Sequence, residues 1–428
     1  MLDRDANATI TDTDPGTPMG NLFRRYWMPF LTADELPSPD CEPVRVRLMG
    51  EDLLAFKDTD GQVGLVDELC AHRRAPLWFG RNEDRGLRCV YHGWKYDVTG
   101  ACVDMPAEPP ESTFKNRIRL KAYPARESGG VIWAYLGPPE LIPPLPDLEW
   151  RLLPDSHRYL FRYDVDSNYL QAMEGDDDSS HASFLHSTIS GGIDRVPTPG
   201  QRFTDYWMKG KSPRFHIQET DTGILTGAQR PAGEGAHYWR ITQWLMPFYS
   251  VIPAEAGSIL FCNVRVPADN ETSLYFRIVY HPNRPLTAEE LYTYTAVGER
   301  FAEVLPGTHR TKENRSNNYL IDRSLQRRHS YTGIKSTQAQ DMAMTDGMGA
   351  IVDRSQEHLG TSDMAIIRMR RALLRAAKQL EQGVEPFGPA HPQDYRVRSA
   401  ALVLPEGVAF AEGQRVVGST VPCRSSRT

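Results

Sequence analysis

Two short segments of this chain place sulfur and nitrogen donors at a spacing that fits a shared metal centre. Cys70-x-His72 and Cys89-x-x-His92 are separated by sixteen residues, and each segment is short enough to form one tight loop. The two loops can hold a metal between them only if the fold brings them together. This requirement constrains the first third of the chain more than any other feature of the sequence.

Two kinds of metal centre accept this ligand set. A structural zinc ion would take all four ligands tetrahedrally, whereas a Rieske [2Fe–2S] cluster takes both thiolates on one iron and both imidazoles on the other. The ligand count does not choose between them. The short Cys-x-His half favours the cluster, as do Gly93 and Trp94 directly after His92 and the strand-like pattern around the ligands.

The bulk properties exclude several classes of protein. A chain of 428 residues with 49 basic and 55 acidic side chains predicts two domains and gives no support for a nucleic-acid partner. No segment approaches the roughly 20 apolar residues of a membrane span. The amino terminus does not have the pattern of a secretory signal, and six cysteines are too few for a disulfide scaffold. We therefore expect a soluble, cytoplasmic protein.

Patterning divides the chain into regions. Residues 44–67 alternate around a "DTDG" turn, as short antiparallel strands do, and a proline-rich stretch ends this β unit. Later segments predict one antiparallel sheet, a polar irregular region over 312–360, and a helix from Ser362 to a stop at Gly383. The expected domains are an N-terminal segment 1–39, a β domain 40–150, a second domain 151–390 and a C-terminal tail 391–428, of which the last dozen residues are predicted to be mobile.

A second set of candidate ligands lies in residues 167–186, which predict a helix with Ser167 as a possible cap. His181 and His186 are five residues apart, about 140° around an ideal helix. They can bind one metal only if the helix ends or distorts between them, and Ser179 and Ser180 mark a suitable place. The histidine pair alone is weak evidence for a site.

Both motifs together resemble those of the Rieske non-heme iron ring-hydroxylating oxygenases, specifically the large (alpha) subunit. "CAHRRAPLWFG…CVYHGWKYDVTGACVDMP" resembles the cluster-binding stretch, and "NYLQAMEGDDDSSHASFLH" resembles the catalytic iron segment. The resemblance implies an α+β fold, in which an all-β Rieske domain is followed by a helix-grip catalytic domain with a curved antiparallel sheet. It implies cluster ligands at four positions, namely Cys70, His72, Cys89 and His92. In the second segment six residues match the family, namely Asn168, Gln171, Glu174, Asp178, His181 and His186.

A non-heme iron site of this kind uses two histidines and one carboxylate. "EHLGTSDMAIIRMRR" resembles the stretch that supplies the carboxylate, which implies mononuclear iron held by His181, His186 and Asp363. Asp353 ranks next, and Asp341 and Asp346 are further candidates. Asp363 also suits the first turn of a helix without any metal, because the helix dipole favours an acid there.

The resemblance also implies partners. In the family, the residue at Asp178 links the catalytic histidine to a cluster histidine of the neighbouring subunit, so we expect a ring-shaped homotrimer or a stacked hexamer. The sequence contains neither a ferredoxin cysteine spacing nor a dinucleotide-binding glycine loop. Electrons are therefore expected from a separate NAD(P)H-dependent reductase, with no flavin or NAD in this chain.

The branch most similar in sequence contains phthalate dioxygenase, which implies cis-dihydroxylation of an aromatic carboxylate, such as a phthalate isomer or a meta-substituted chlorobenzoate. A carboxylate needs a cation or hydrogen-bond donors, and the candidates are Ser179, Arg230 and Arg240. Arg368 and Arg370 are interpreted as packing or surface residues. Two alternatives remain, namely an O-demethylating monooxygenase of a methoxybenzoate and a zinc-stabilised binding module without redox activity.

Overall fold

The computed structural model describes residues 2–190, 204–295 and 301–413. The chain forms two compact units: Phe23–Pro143, and Met1–Leu22 together with Pro144–Thr428. The β unit therefore begins earlier than the expected residue 40, because a strand at 27–32 pairs within it, and it ends before the expected residue 150. The expected N-terminal segment 1–39 is divided between the two units.

The β unit consists of short strands joined by tight turns. They form three antiparallel sheets with the orders β1-β11-β10, β2-β3-β4-β9 and β5-β6-β7-β8. The strands are β1 Trp27–Thr32, β2 Val44–Leu48, β3 Glu51–Lys57, β4 Val63–Asp67, β5 Arg81–Glu83, β6 Gly86–Arg88, β7 Lys95–Tyr96, β8 Cys102–Asp104, β9 Ala122–Tyr123, β10 Ala125–Ser128 and β11 Val131–Tyr135.

The predicted "DTDG" turn joins β3 to β4, and its own side chains stabilise it. The carboxylate of Asp58 accepts hydrogen bonds from the backbone N–H groups of Asp60 (3.0 Å) and Gln62 (2.8 Å). Gly61 adopts a φ of 79°, a conformation that glycine adopts without steric cost. The prediction of a hairpin at this position is confirmed.

The second unit is built on one antiparallel sheet of eight strands. Its order is β12-β18-β17-β16-β15-β14-β13, and β19 also pairs with β15. The prediction of a single sheet from the segments after residue 237 is confirmed. The strands are β12 Arg158–Val165, β13 Arg214–Thr220, β14 Gly223–Pro231, β15 Ala236–Leu245, β16 Tyr249–Ile252, β17 Leu260–Pro267, β18 Ser273–Tyr280 and β19 Ala400–Pro405.

The described residues also contain eleven α-helices, and the longest confirms the helix predicted from Ser362 onward. They are α1 Arg4–Thr11, α2 Pro18–Phe23, α3 Glu149–Leu152, α4 Tyr169–Asp177, α5 Ala182–Leu185, α6 Thr204–Lys209, α7 Ala288–Thr295, α8 Arg323–Arg328, α9 Thr337–Thr345, α10 Met364–Glu381 and α11 Phe387–Ala390.

Helix α4 packs across one face of the sheet. The indole N–H of Trp244 on β15 lies 3.2 Å from the sulfur of Met173, and Arg265 on β17 makes two hydrogen bonds, of 2.8 and 2.9 Å, to the carboxylate of Asp176. Thr226 on β14 donates to Asp177. The last turn of α4 is thus fixed to three strands, which places the following residues, 178–186, at this face.

Several boundaries differ from the sequence predictions. The cap of α4 is Asn168, whose side chain accepts from the N–H of Leu170, rather than Ser167. The polar region 312–360 contains α8 and α9, because Asp322 and Ser336 cap them at their first turns. The expected tail 391–428 contains β19, which completes the sheet, so at least residues 391–413 belong to the folded unit. The predicted mobile last dozen residues lie outside the described residues.

Within residues 2–190, 204–295 and 301–413, no helix is long and apolar enough to cross a membrane.

Candidate metal centres

The two cluster segments fold into equivalent turns. In each turn, the N–H of the cysteine donates to the carbonyl five residues later, and its carbonyl accepts from the N–H four residues later. The same backbone motif therefore presents both cysteines, which explains how a Cys-x-His and a Cys-x-x-His segment can face one centre. The hydrogen bonds are Cys70 N to Ala75 O (2.9 Å), Arg74 N to Cys70 O (2.9 Å), Cys89 N to Trp94 O (2.8 Å) and Gly93 N to Cys89 O (2.9 Å).

The fourth residue after each cysteine has left-handed backbone geometry. Arg74 has a φ of 57° and Gly93 a φ of 77°. A Cβ atom at Gly93 would lie 2.5 Å from Cγ of Pro106, closer than carbon atoms can approach. The second turn therefore requires glycine for space as well as for conformation, which accounts for the glycine directly after His92.

The sulfur donors and nitrogen donors of this site lie at different depths. The side chains of Cys70 and Cys89 are buried in the core of the β unit, whereas His72 is exposed and His92 partly exposed. The two imidazole rings lie 4.6 Å apart, and His72 stacks on Trp94 at 4.4 Å. Trp94, which follows the second ligand pair in the sequence, thus covers one face of the His72 ring. A centre bound here would have its sulfur side in the core and its histidine side at the surface.

The chemistry of these four side chains fits an iron–sulfur cluster. Burial raises the pKa of the Cys89 thiol, and the neighbouring Cys70 raises it further, so two adjacent thiolates are unfavourable here without a bound cation. The hydroxyl of Tyr96 lies 3.2 Å from the sulfur of Cys70, and a hydrogen bond to a ligand sulfur is one means of adjusting a cluster's potential.

The histidine pair of the second unit lies at a break between two helices. Helix α4 ends at Asp177, His181 precedes α5, and His186 follows it. The chain breaks at Ser179 and Ser180 as predicted, but this break precedes both histidines. The helical geometry between the histidines ends at His186, which has φ -100° and ψ 21°, and the two imidazole centroids lie 5.2 Å apart.

The carboxylate that joins these histidines is Asp341 in helix α9. Its Oδ1 atom lies 3.1 Å from Nε2 of His186 and 3.7 Å from Nε2 of His181. Among the described residues, these three form the one group of His, Cys, Asp or Glu side chains whose ligand atoms all lie within 4.8 Å of one another. Two imidazoles and one carboxylate form the facial ligand set of non-heme Fe(II).

The prediction that Asp363 supplies the third ligand is wrong for this structure. Its carboxylate turns back to accept from the N–H of Gly360 at 2.7 Å, at the start of α10, and it is not part of the histidine cluster. Asp353, the second choice, caps a short helical turn by accepting from Ser355. Both acids stabilise helix ends, a function that a sequence pattern cannot separate from metal binding.

Each histidine is oriented through its other ring nitrogen. Oδ2 of Asp178 lies 3.4 Å from Nδ1 of His181, and the buried side-chain oxygen of Gln340 lies 2.7 Å from Nδ1 of His186. When Nδ1 carries the proton, Nε2 is left with a lone pair directed at the metal position. Sequence reasoning missed Gln340, although its position directly before a candidate acid was a usable signal.

The electrostatics of this cluster favour a bound cation. Burial opposes a charge on His181, but the carboxylates of Asp178 and Asp341 outweigh it and raise the pKa of this imidazole. Burial likewise opposes ionisation of Asp341, yet the two histidines lower the pKa of its carboxyl group. A metal ion would satisfy both preferences at once, so the residues fit a mononuclear iron.

The three predicted substrate contacts have different surroundings. Arg230 is buried and donates to the carbonyl oxygens of Gly210 (2.8 Å) and Ser179 (2.9 Å), so it anchors the segment that leads to His181. Arg240 packs over the ring of Trp207 at 4.1 Å, and its Nε has no hydrogen-bond partner. Burial lowers the pKa of Arg240, which only Tyr238 counteracts. The Nε–H group of Arg240 is therefore available to donate a hydrogen bond.

Comparison with protein families assigns both units. The family described as "Rieske [2Fe-2S] domain" matches residues 26–124, and the family described as "LigXa C-terminal domain like" matches residues 134–412. The chain belongs to the Rieske non-heme iron aromatic ring-hydroxylating oxygenases, as an alpha-type oxygenase subunit. Its cofactors are accordingly a Rieske [2Fe–2S] cluster and a mononuclear iron in the catalytic domain. This result decides against the zinc alternative.

Individual relatives agree with this assignment. The oxygenase subunit of 3-chlorobenzoate-3,4-dioxygenase from Comamonas testosteroni is 37% identical, covering 96% of this chain and 98% of the relative. The oxygenase subunit of phthalate 4,5-dioxygenase from Pseudomonas putida is 36% identical over 91% and 89%. Among solved structures, dicamba monooxygenase bound to 3,6-dichlorosalicylic acid has a TM-score of 0.60 at 19% identity, covering 84% of this chain and 99% of the other. At that identity the likeness concerns the fold.

Substitution of Gly93 by alanine should reduce cluster content. The new Cβ would meet Pro106 and would also strain a backbone of φ 77°. Gly257→Ala is a matched control, since Gly257 has the same φ with nothing within 4 Å and bears only the conformational cost of about 1–2 kcal/mol. Visible absorbance per chain measures the cluster. Equal absorbance in the two variants would contradict the steric argument.

The two candidate acids can be separated by parallel substitutions. Asp341→Asn should lose mononuclear iron and keep the cluster spectrum, because it removes the charged ligand between the histidines. Asp363→Asn should retain both metals and change stability by about 1 kcal/mol or less, as expected for an exposed capping contact. Iron analysis alongside the cluster absorbance measures both. Loss of mononuclear iron in Asp363→Asn alone would restore Asp363 as the ligand.

Proposed function

We propose that this chain is the oxygenase component that cis-dihydroxylates an aromatic carboxylate, with Arg240 as the contact for the substrate carboxylate. In this reaction the ring gains two hydroxyl groups from O2, with two protons and two electrons from a separate reductase. The observation that carries the proposal is the guanidinium of Arg240, whose buried Nε has no hydrogen-bond partner and whose charge acts electrostatically on His181. Meta-substituted benzoates and phthalate isomers are the favoured substrates.

The proposal assigns a role to each metal-binding residue. Cys70, His72, Cys89 and His92 hold the cluster, and His181, His186 and Asp341 hold the iron. When bound, the two centres supply electron transfer and oxygen activation. Asp178 and Gln340 keep the Nδ1 proton on each iron-binding histidine, so that neither ring can rotate away from the metal.

Arg240 is the better candidate for binding a carboxylate because the donors of Arg230 are already hydrogen-bonded within the protein. The Arg230 guanidinium has backbone oxygen partners on Ser179 and Gly210. Among the described residues, no carboxylate lies within ion-pair distance of Arg240, and only Tyr238 offsets the partial burial of its charge, which is unfavourable without an anionic partner. An anionic substrate would supply the missing partner with charge-assisted hydrogen bonds. Ser179, held by Arg230, would serve as a wall of the same site.

The substrate class is supported by the relatives as well as by Arg240. The two relatives described above act on 3-chlorobenzoate and phthalate, according to their names, and both compounds carry a carboxylate on an aromatic ring. A single charged contact at the site would bind that shared group. The ring substituents would then select among acids through shape.

Asp178 is proposed to have a second role between subunits. Its carboxylate accepts from the N–H of Ser180 at 2.6 Å and lies beside His181, yet about a fifth of its side chain is exposed. Burial raises the pKa of Asp178, but His181 and these backbone contacts lower it overall, so it remains an anionic acceptor. A cluster histidine of a neighbouring copy could donate to the remaining exposed oxygen, in a trimer or stacked hexamer.

An O-demethylating monooxygenase is the second candidate. A relative with 32% identity over 90% of this chain is the oxygenase subunit of 5,5'-dehydrodivanillate O-demethylase from a Sphingobium strain. The same metals and the same carboxylate contact would serve either reaction. A methoxybenzoate would then give a phenol and formaldehyde instead of a cis-diol.

A panel of ortho-, meta- and para-substituted benzoates should identify the reaction. With a reductase and NAD(P)H, meta-substituted acids should give the fastest substrate-dependent O2 uptake, with a cis-dihydrodiol as product. Formaldehyde release from methoxybenzoates with no diol from any other acid would favour the second candidate. O2 uptake that is the same without any aromatic acid would contradict the proposed substrate class.

Arg240→Gln should weaken turnover of carboxylates selectively. Loss of one charge-assisted contact corresponds to about 1.5–3 kcal/mol, or roughly a 10- to 150-fold fall in kcat/KM for a benzoate. A neutral benzamide of the same shape should lose little, because it has no charge to pair. An equal fall for both compounds would show that Arg240 supports the fold and not the carboxylate.

A further inference from the structure

A short segment with unusual backbone geometry precedes helix α9 in the chain. Asn318, Tyr319 and Leu320 have φ values of 51°, 53° and 47°. Left-handed geometry is unfavourable for each residue that carries a Cβ atom, and such residues normally occur singly. Asn318 and Leu320 are exposed, whereas Tyr319 is buried. The unfavourable backbone therefore serves to place one side chain in the core.

That side chain binds the end of the helix that carries Asp341. The hydroxyl of Tyr319 donates to Oδ2 of Asp346 at 2.6 Å. Asp346 is the residue that follows α9, and its side chain is buried. The ring of Tyr319 belongs to the same buried cluster as Met342, within α9. One tyrosine thus contacts the helix through its side and through its C-terminal end.

A second contact holds the same end of the helix from helix α4. The side-chain amide of Gln171 donates to the carbonyl oxygens of Thr345 (2.8 Å) and Gly349 (3.0 Å). Since α4 leads directly into the His181 segment, Gln171 links the histidine ligands to α9. Tyr319 approaches α9 from a different segment, so the two contacts together restrict both sliding and rotation of the helix.

The position of α9 matters because two consecutive residues of this helix act at the metal site. Asp341 lies between the two imidazoles, and Gln340 orients His186. A shift of α9 would move both groups together, and a functional site tolerates displacements of only about 0.5 Å. The contact at Asp346, five residues beyond Asp341, is close enough along the helix to set its position.

We propose that the Tyr319–Asp346 hydrogen bond is a positioning contact for the mononuclear iron site. It fixes α9 so that Asp341 and Gln340 remain aligned with His186, and the left-handed segment is retained because it delivers Tyr319 to Asp346. This inference rests on the proposed function in one respect, namely that Asp341 is a metal ligand. It assigns no chemistry to Tyr319 itself.

The test uses the full chain with its cluster, depleted of mononuclear iron, and Co(II) as the probe metal. Tyr319→Phe removes only the donor and keeps the ring in the core. Co(II) affinity by titration calorimetry should fall 10- to 100-fold, and the electron paramagnetic resonance signal of bound Co(II) should change, while the cluster absorbance stays constant. The matched control is Tyr292→Phe, because Tyr292 is exposed on α7; it should bind Co(II) as the unsubstituted chain does.

Variants at Asp346 separate the hydrogen bond from general packing. Asp346→Asn keeps an acceptor oxygen for Tyr319 and should retain most of the affinity, whereas Asp346→Leu should reproduce the loss seen in Tyr319→Phe. Combining Asp346→Leu with Tyr319→Phe should add little to either single loss, since both remove the same contact. Additive losses would overturn the proposal.

Asp341→Asn distinguishes failure of this inference from failure of the proposed function. If Asp341→Asn abolishes Co(II) binding while Tyr319→Phe binds with unchanged affinity and an unchanged signal, the positioning contact is refuted and the metal site stands. If Asp341→Asn binds Co(II) as the unsubstituted chain does, the assigned ligand set is wrong, and the inference falls with it.

Discussion

The catalytic domain depends on the point at which helix α4 stops. Two histidines five residues apart would point about 140° away from each other on a continuous helix, so a single metal could not bind both. Helix α4 ends at Asp177, and the one-turn helix α5 that follows ends at Leu185, so His181 and His186 flank α5 and both Nε2 atoms face Asp341. The metal site is thus made by a helix end and is not carried on a helix face.

The end of α4 stays in position only if the helix itself is anchored to its surroundings. Polar side chains of α4 provide this anchoring. Asn168, Gln171 and Glu174 recur at intervals of three, so they lie along one side of the helix. Asn168 and Gln171 donate to backbone carbonyls of other segments, and Glu174 accepts from Arg354 and Arg370. Removing one partner from such a buried network leaves an uncompensated charge and is strongly destabilising. Arg370, predicted to be a packing or surface residue, is buried in this network.

Metal ligands that lie close together along the chain can be predicted from the sequence. The four cluster ligands fall within 23 residues, and their two turns repeat one backbone motif, so a local pattern carries nearly all the information. The third iron ligand is different, because 154 residues separate His186 from Asp341 and several acids compete. Asp363 begins the clearest helix of the chain, and that is sufficient physical reason for an acid there. Only the packing of α9 against α4 distinguishes Asp341.

Three arginines on the sheet face beneath α4 show how the fold distinguishes structural from available charges. Arg265 donates to the carboxylate of Asp176, which neutralises its charge. Arg230 donates to backbone oxygens, which occupy its hydrogen-bond donors. Arg240 has an aromatic ring and an unpaired Nε. Arg240 is therefore the arginine of the three whose charge a bound anion would neutralise under the proposed function. A neutral analogue would leave its guanidinium without a charged partner, which is the physical basis for the expected preference for carboxylates.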